Sequence, residues 1–145
     1  MRAVLQRVTS ASVTVDGEVV GRIDESGLVV LLGITHDDGP DQVAWMVRKI
    51  RDLRIMREER SVADLGAPAL VISQFTLYGD ARKGRRPTWN AAAPGEVSQP
   101  LYRAVCDGLE EQGTRVARGV FGADMTVELA NDGPVTMILD TGGQL

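Results

Sequence analysis

The sequence is poor in the residues that carry most enzyme chemistry. Among its 145 residues are one histidine and one cysteine, with two each of tryptophan, tyrosine and phenylalanine. A single histidine excludes a two-histidine metal site, and a single cysteine excludes an internal disulfide and a Cys/His zinc cluster. We therefore expect no metal or other cofactor, and such low cysteine content is compatible with a reducing compartment.

Neither of these two residues is a strong catalytic candidate. A Ser-His-Asp triad would have to use His36, which lies in a His-Asp-Asp-Gly turn where a solvated surface histidine is typical. Cys106 falls inside a helical pattern, where a buried, unreactive thiol is typical. The chain also lacks the GxGxxG and GxxxxGK[ST] phosphate-binding motifs. An enzyme without a metal, a cofactor or a conventional catalytic base is expected to catalyse a reaction that is energetically favourable and has a low uncatalysed barrier.

Long apolar segments are also missing. The longest apolar run, Leu28 to Ile34, has the length of a strand and falls well short of the ~18 residues of a membrane span. The N-terminus lacks the apolar region of a secretory signal. Hydrophobic residues make up 43% and charged residues 25% of the chain, as in ordinary globular proteins. These features predict one cytoplasmic domain spanning residues 1–145, without membrane association.

The charge distribution is uneven. A formal net charge of −4 argues against a nucleic-acid binder, since many such proteins are basic. Four cationic side chains nevertheless fall within five positions: Arg82, Lys83, Arg85 and Arg86. Tyr78 and Trp89 flank them, so the segment is either a phosphate-binding patch or an ordinary solvated loop.

Periodicity in the first half predicts strands followed by a helix. Residues 3–8 alternate with period two, and Asp16-Gly17 joins residues 12–15 and 18–20 in a predicted hairpin. The run over residues 28–34 is typical of a central, fully covered strand. Apolar residues then recur at helical spacing over residues 43–53, with Asp41 as the expected N-cap.

The second half predicts a further strand, a helix and three closing strands. Residues 70–75 form a strand, residues 79–89 a polar loop, and a helix begins between Pro94 and Pro100 and ends near Gly113. The closing strands are expected at residues 116–120, 125–129 and 135–139. We predict a single α+β domain of largely antiparallel, barrel-like β-sheets with two main helices.

Two polar segments interrupt these elements. Ser73-Gln74-Phe75-Thr76 lies at the end of an apolar strand, where a hydroxyl and an amide could reach a pocket. Asn131 to Thr136 lies between two predicted strands and includes Gly133-Pro134. Polar residues are common at strand ends, and Asp-Gly and Gly-Pro commonly mark turns, so both segments also fit purely structural roles.

Several motifs occur together and in order along the chain. SQFTLYGD is followed by KGRRP, FGADM and NDGPVT, and is preceded by MRAVLQRV and KIRDLRI. In this combination the chain resembles the D-aminoacyl-tRNA deacylase (D-tyrosyl-tRNA deacylase) family over essentially its whole length. It departs from the family pattern between Leu53 and Leu70, where its loop is shorter.

The resemblance implies a site shared between two copies of the chain. The residues expected to line a pocket for the aminoacyl-adenosine end of tRNA are Ser73, Gln74, Phe75 and Thr76. A cis Gly133-Pro134 bond would enter the partner subunit's pocket, with Arg7 bracing it across the homodimer and Met125 nearby. Each active site would then be completed at the subunit interface.

The implied activity is hydrolysis of the ester bond of D-aminoacyl-tRNA, together with glycyl-tRNA mischarged on tRNA(Ala), and rejection of L-aminoacyl-tRNA. Backbone N–H groups near Phe75 and Thr76 could stabilise the oxyanion, with water or the terminal 2′-hydroxyl acting as base. Thr76 as a nucleophile is the competing mechanism. A different hydrolase of small esters and a non-catalytic dimeric RNA-binding module are the two alternative functions.

Overall fold

In the computed structural model, which describes residues 1–143, one long strand organises the fold. This strand, β1 (Arg2–Val15), pairs antiparallel with β3 (Gly27–Gly33) through its first half and with β2 (Glu18–Ile23) through its second. The Asp16-Gly17 turn joins β1 to β2, with positive φ at both residues, which confirms the predicted hairpin. Along its other side, β1 pairs antiparallel with β6 (Thr126–Asp140).

The remaining pairings are parallel, so the sheet is mixed. The strand β4 (Ala69–Ser73) lies parallel to β3, and the short β5 (Val116–Arg118) lies parallel to β4. The sheet curls until β2 meets β5, where a Cβ on Gly21 would lie 2.5 Å from the Arg118 carbonyl oxygen. The predicted α+β, barrel-like domain is confirmed in outline, but the antiparallel character is limited to the partners of β1.

Two long helices and one short one, α1 (Pro40–Asp52), α2 (Val62–Leu65) and α3 (Gly95–Glu111), complete the fold. The buried side chains form two core clusters. The first lies between the helices α1 and α3 and one face of the sheet, and the second fills the inside of the curled sheet. Strand β3 contributes to both, with Val30 in the first and Val29 in the second. Burial on both faces explains why its sequence is continuously apolar.

The start of α1 differs from the sequence prediction. Gly39 is the N-cap and Pro40 is the first helical residue, whereas Asp41 was expected to be the cap. Proline favours this first position because its φ is preset and it has no N–H to leave unpaired. The side chain of Gln42, within the first turn of the helix, accepts a hydrogen bond from the Gly39 N–H at 2.9 Å and so caps the helix N-terminus.

The end of the chain differs more. Three closing strands were predicted, but β5 covers only Val116–Arg118, and residues 126–140 form one continuous strand. The Gly133-Pro134 segment is therefore an excursion within β6 instead of a hairpin turn, since the pairing with β1 passes from Val8–Asn131 to Gln6–Thr136. The Asn131 amide donates hydrogen bonds to the carbonyls of Arg7 (2.8 Å) and Val135 (3.0 Å), which bridges the excursion.

Candidate functional site

A cavity of about 500 Å³ lies beyond the C-terminal end of β4. Ser73, Gln74 and Phe75 form one side of it, and Phe121 and Met125 contribute from the segment that leads into β6. The first turn of α3 and the end of β3 close the remainder. None of the residues in the described part of the chain that line this cavity ionises near neutral pH.

The chain turns sharply at the mouth of the cavity. The predicted strand over residues 70–75 ends early, at Ser73, and Phe75–Tyr78 form a single 3₁₀ turn. The Gln74 N–H donates to the Leu32 carbonyl at 2.8 Å, which holds the start of the turn against β3. This close approach requires glycine at position 33, where a Cβ would lie 2.9 Å from the Gln74 carbonyl oxygen.

The turn leaves two backbone donors without partners. Within residues 1–143, no acceptor is found for the N–H of Phe75 or of Thr76. The first N–H groups of any helical turn lack acceptors within that turn. Phe75 lines the cavity and Thr76 follows it directly, so both donors belong to the turn at the edge of the cavity. This arrangement can stabilise an anionic oxygen.

The Thr76 side chain has little to activate it. It is exposed and does not line the cavity, and the only hydrogen-bond partner of its hydroxyl among residues 1–143 is the amide of Gln74, which donates to it. No histidine, lysine or carboxylate forms a hydrogen bond with this hydroxyl within that range. The hydroxyl therefore lacks the base that a nucleophile normally needs.

Two aromatic rings form the exposed rim of the cavity. Phe75 and Trp89 meet edge to face, with ring centroids 5.3 Å apart, and remain 56% and 43% exposed. Trp89 also packs on Gly79, where a Cβ would lie 2.7 Å from the indole. Large exposed aromatic side chains at a cavity mouth are typical of a surface that receives a ligand.

The Gly133-Pro134 segment forms a separate group. Its peptide bond is cis, both residues are exposed, and neither lines the cavity of its own chain. Gly133 has φ +118°, and a Cβ there would lie 2.8 Å from a terminal nitrogen of Arg7. Arg7 and Gly133 are therefore in contact, although 126 positions separate them.

Arg7 is the most notable buried charge near this segment. Only 8% of it is exposed, and it donates hydrogen bonds to the carbonyls of Asp132 and Ile55, each at 3.2 Å. It also forms an ion pair with the Asp132 carboxylate. These contacts lie within one chain, and the role predicted for Arg7 across a homodimer stays a prediction.

Asp132 has a second cationic partner. Arg57 donates a hydrogen bond to its carboxylate at 3.1 Å, and this bond lowers the pKa of Asp132 below its usual value. Asp132 is therefore charged at neutral pH, and Arg57, from the shortened loop, helps to fix the residue before Gly133. Sequence reasoning assigned no role to this loop, because nothing local in its sequence indicates contact with β6.

The structure thus brings together only part of the predicted site. The residues that line one cavity are Ser73, Gln74, Phe75 and Met125, with Thr76 adjoining it. Sequence reasoning missed Phe121 as a lining residue, although it belongs to the quoted FGADM motif, and noted Trp89 only as a neighbour of the cationic segment. Their contribution depends on tertiary packing, which residue spacing does not reveal.

The two residues judged unsuited to catalysis behave as expected. His36 is exposed, and its Nε2 lies 2.8 Å from the Asn90 carbonyl oxygen. Cys106 is fully buried, and this burial raises the pKa of its thiol to about 11.

Within residues 1–143 there is no cluster of three or more side chains suited to holding a metal ion. None of the helices described is long and apolar enough to cross a membrane.

Comparison with known proteins identifies the family. A family model described as D-Tyr-tRNA(Tyr) deacylase matches residues 4–140. D-aminoacyl-tRNA deacylases of Kineococcus radiotolerans and Thermobifida fusca are 66% and 61% identical, each over 97% of this chain and 99% of its own. A solved structure named c-Myc DNA Unwinding Element Binding Protein is 40% identical with a TM-score of 0.91, covering 97% of this chain and 99% of its own. The chain therefore belongs to the D-Tyr-tRNA(Tyr) deacylase family, whose members are hydrolases acting on ester bonds.

Proposed function

We propose that this protein hydrolyses the ester bond of D-aminoacyl-tRNA and releases the free D-amino acid and tRNA. The observation that carries the proposal is a pair of backbone donors, at Phe75 and Thr76, that have no acceptor within residues 1–143 and adjoin a cavity to which those residues contribute no ionisable side chain. Family membership supports the same activity, because the relatives from Kineococcus radiotolerans and Thermobifida fusca are named for it. A tRNA substrate also implies action in the cytoplasm.

The chemistry fits such a site. Water attacks the ester carbonyl carbon, the carbonyl oxygen becomes an oxyanion, and the ribose oxygen leaves as a hydroxyl after taking up a proton. The N–H groups of Phe75 and Thr76 stabilise the oxyanion, and the substrate's neighbouring 2′-hydroxyl assists the proton transfer. An aminoacyl ester already hydrolyses readily. Positioning the ester and stabilising its oxyanion with two N–H donors therefore lower the activation barrier enough for catalysis.

We infer further that the enzyme is a homodimer in which Gly133-Pro134 completes the partner subunit's cavity. The segment is exposed and lies outside the cavity of its own chain. On the same strand, Met137 and Ile138 are 40% and 56% exposed, and β1 is the only strand that pairs with β6 within residues 1–143. Exposed apolar side chains beside an open strand edge support a second copy at this surface.

The decisive test is release of free tyrosine from D-tyrosyl-tRNA, with L-tyrosyl-tRNA as the control. We expect rapid release from the D-ester only. Equal cleavage of simple tyrosine esters without tRNA would indicate a general hydrolase of small esters. Binding of tRNA without release of any amino acid would indicate a non-catalytic RNA-binding module.

Replacement of the Thr76 hydroxyl should have a small effect. We expect Thr76→Ala to retain activity within roughly tenfold of wild type, because the backbone N–H of residue 76 survives the substitution. Single-turnover assays on D-tyrosyl-tRNA measure this, with Thr126→Ala, an exposed threonine on β6, as the matched control. A loss of several orders of magnitude, with an acyl-enzyme trapped on wild type, would show that Thr76 is the nucleophile.

The pH dependence should follow that of the substrate itself. Because residues 1–143 contribute no ionisable side chain to the cavity lining, we expect the ratio of catalysed to uncatalysed rates to vary less than roughly threefold between about pH 6 and pH 8. Single-turnover rates with saturating enzyme, measured beside spontaneous hydrolysis, provide this ratio. A ratio that falls about tenfold per unit below neutrality would instead reveal a side-chain general base.

A further inference from the structure

The cationic segment lies directly beside the rim of the cavity. We call residues 81–87 the basic loop. Its ends are joined by reciprocal backbone hydrogen bonds between Asp80 and Thr88, each 2.9 Å long. Trp89 follows at once, lines the cavity and contacts Phe75. The loop is therefore fixed at its base and projects from the side of the cavity mouth.

The four cations of the loop are not equivalent. Arg82 is held by Asp80, whose carboxylate accepts two hydrogen bonds from the guanidinium, at 2.9 and 2.6 Å. This pairing lowers the pKa of Asp80 well below its usual range. Lys83, Arg85 and Arg86 form no ion pair or side-chain hydrogen bond with any of residues 1–143, and all three are exposed. Three charges are thus available to an external anion, and one is already balanced.

These three charges contribute little to the fold. Every residue of the basic loop is exposed, and none belongs to either core cluster. The chain has a net charge of −4, so the protein as a whole repels a polyanion. A polyanionic substrate whose reactive end enters the cavity needs an attractive surface beside the opening, and this loop supplies it.

We propose that Lys83, Arg85 and Arg86 bind backbone phosphates of the tRNA acceptor end while its terminal ester occupies the cavity. This inference rests on the proposed function, because it concerns how the substrate of that same site is held. With the terminal ester in the cavity, the phosphates that precede the terminal nucleoside would lie near the cavity mouth, where Phe75 and Trp89 form the rim and the basic loop leads directly into Trp89. Such contacts position the substrate without reading its sequence, so they serve any tRNA.

The test uses the triple variant Lys83→Gln, Arg85→Gln, Arg86→Gln on two substrates with the same ester. With D-tyrosyl-tRNA we expect KM to rise while kcat stays near wild type. The slope of log(kcat/KM) against log[salt] should become less negative by roughly 2 to 3, since each lost phosphate contact removes about 0.7 to 0.9. With D-tyrosyl-adenosine, which has no phosphate, kcat/KM should be unchanged.

Arg82→Gln is the matched control. It removes one positive charge from the same loop, but that charge is paired with Asp80, so its effect on the salt slope should be clearly smaller than that of Arg85→Gln. Thermal unfolding of each variant should match wild type, because the side chains lie outside the core.

Three outcomes would overturn the inference. An unchanged salt slope would show that the loop contacts no phosphate. Equal impairment on D-tyrosyl-tRNA and D-tyrosyl-adenosine would show that the loop acts through the cavity. Reduced binding of duplex DNA with unchanged tRNA kinetics would assign the loop to DNA. Failure of wild type to cleave D-tyrosyl-tRNA would instead contradict the proposed function itself.

Discussion

D-tyrosyl-, D-aspartyl- and glycyl-tRNA should be deacylated at rates within roughly tenfold of one another, whereas L-alanyl-tRNA should be slower by at least about 100-fold. This follows from the proposal that Gly133-Pro134 of a second subunit forms one wall of the cavity. Main-chain carbonyls can meet the substrate's amino group and crowd its α-carbon, but they cannot sense a side chain that points away from them.

The expected selectivity is steric. An L-residue would direct its Cβ into this wall, and close-packed groups yield only at considerable cost. A D-residue would direct its Cβ towards solvent, and glycine has no Cβ to clash. Hydrolysis of the four esters on matched tRNAs measures the ratios, with glycine charged on tRNA(Ala) as the glycyl substrate. Resistance of the glycyl ester, or a strong preference among D side chains, would show that side-chain contacts determine specificity.

Gly133→Ala should reduce kcat/KM on D-tyrosyl-tRNA by about 100-fold, the loss expected when a positioning group moves by roughly 1 Å. An alanine Cβ at this position would lie 2.8 Å from Arg7 Nη2 and 3.1 Å from a Val135 methyl group. Arg7 is itself held by carbonyls of Ile55 and Asp132, so it cannot easily retreat. The φ of +118° adds strain for any L side chain, and the segment must shift.

Gly113→Ala separates this effect from a general loss of stability. Gly113 also has a positive φ, +91°, but a Cβ there would meet no atom of residues 1–143 within 4 Å. We expect this control to lower the thermal midpoint modestly and to leave kcat/KM close to wild type. Wild-type rate and selectivity in Gly133→Ala would contradict the proposed role of the segment.

Mixed dimers can show whether the segment acts on its own cavity or on the partner's. Ser98→Trp, on the cavity wall in the first part of α3, should block the cavity of its own subunit. Purified heterodimers of Ser98→Trp with Gly133→Ala should recover about half of wild-type activity, because one cavity and one intact Gly133-Pro134 segment face each other. Inactive heterodimers would place both elements in one chain.

Local patterns predicted much of the secondary structure. The Asp16-Gly17 hairpin, the buried strand around residues 28–34 and the helix before Leu53 all follow from turn chemistry and periodicity, which act over a few residues. The exceptions are equally instructive. Polar Asn131-Asp132 and Gly133-Pro134 are typical of a turn, yet β6 continues past them because both of its halves pair with β1.

By itself, the sequence determined the family motifs and the α+β class. With one histidine and one cysteine, it also excluded a two-histidine metal site and a Cys/His zinc cluster. Tertiary structure decided the rest. Three contacts join segments that are distant in the sequence: Arg7 with Gly133, Arg57 with Asp132, and Phe75 with Trp89. These segments meet because the curled sheet buries both of its faces. Such pairing depends on the whole core and leaves no periodic signal in any one segment. For that reason only the tertiary structure shows the cavity, the lack of acceptors for the Phe75 and Thr76 N–H groups within residues 1–143, and which charge of the basic loop is already paired.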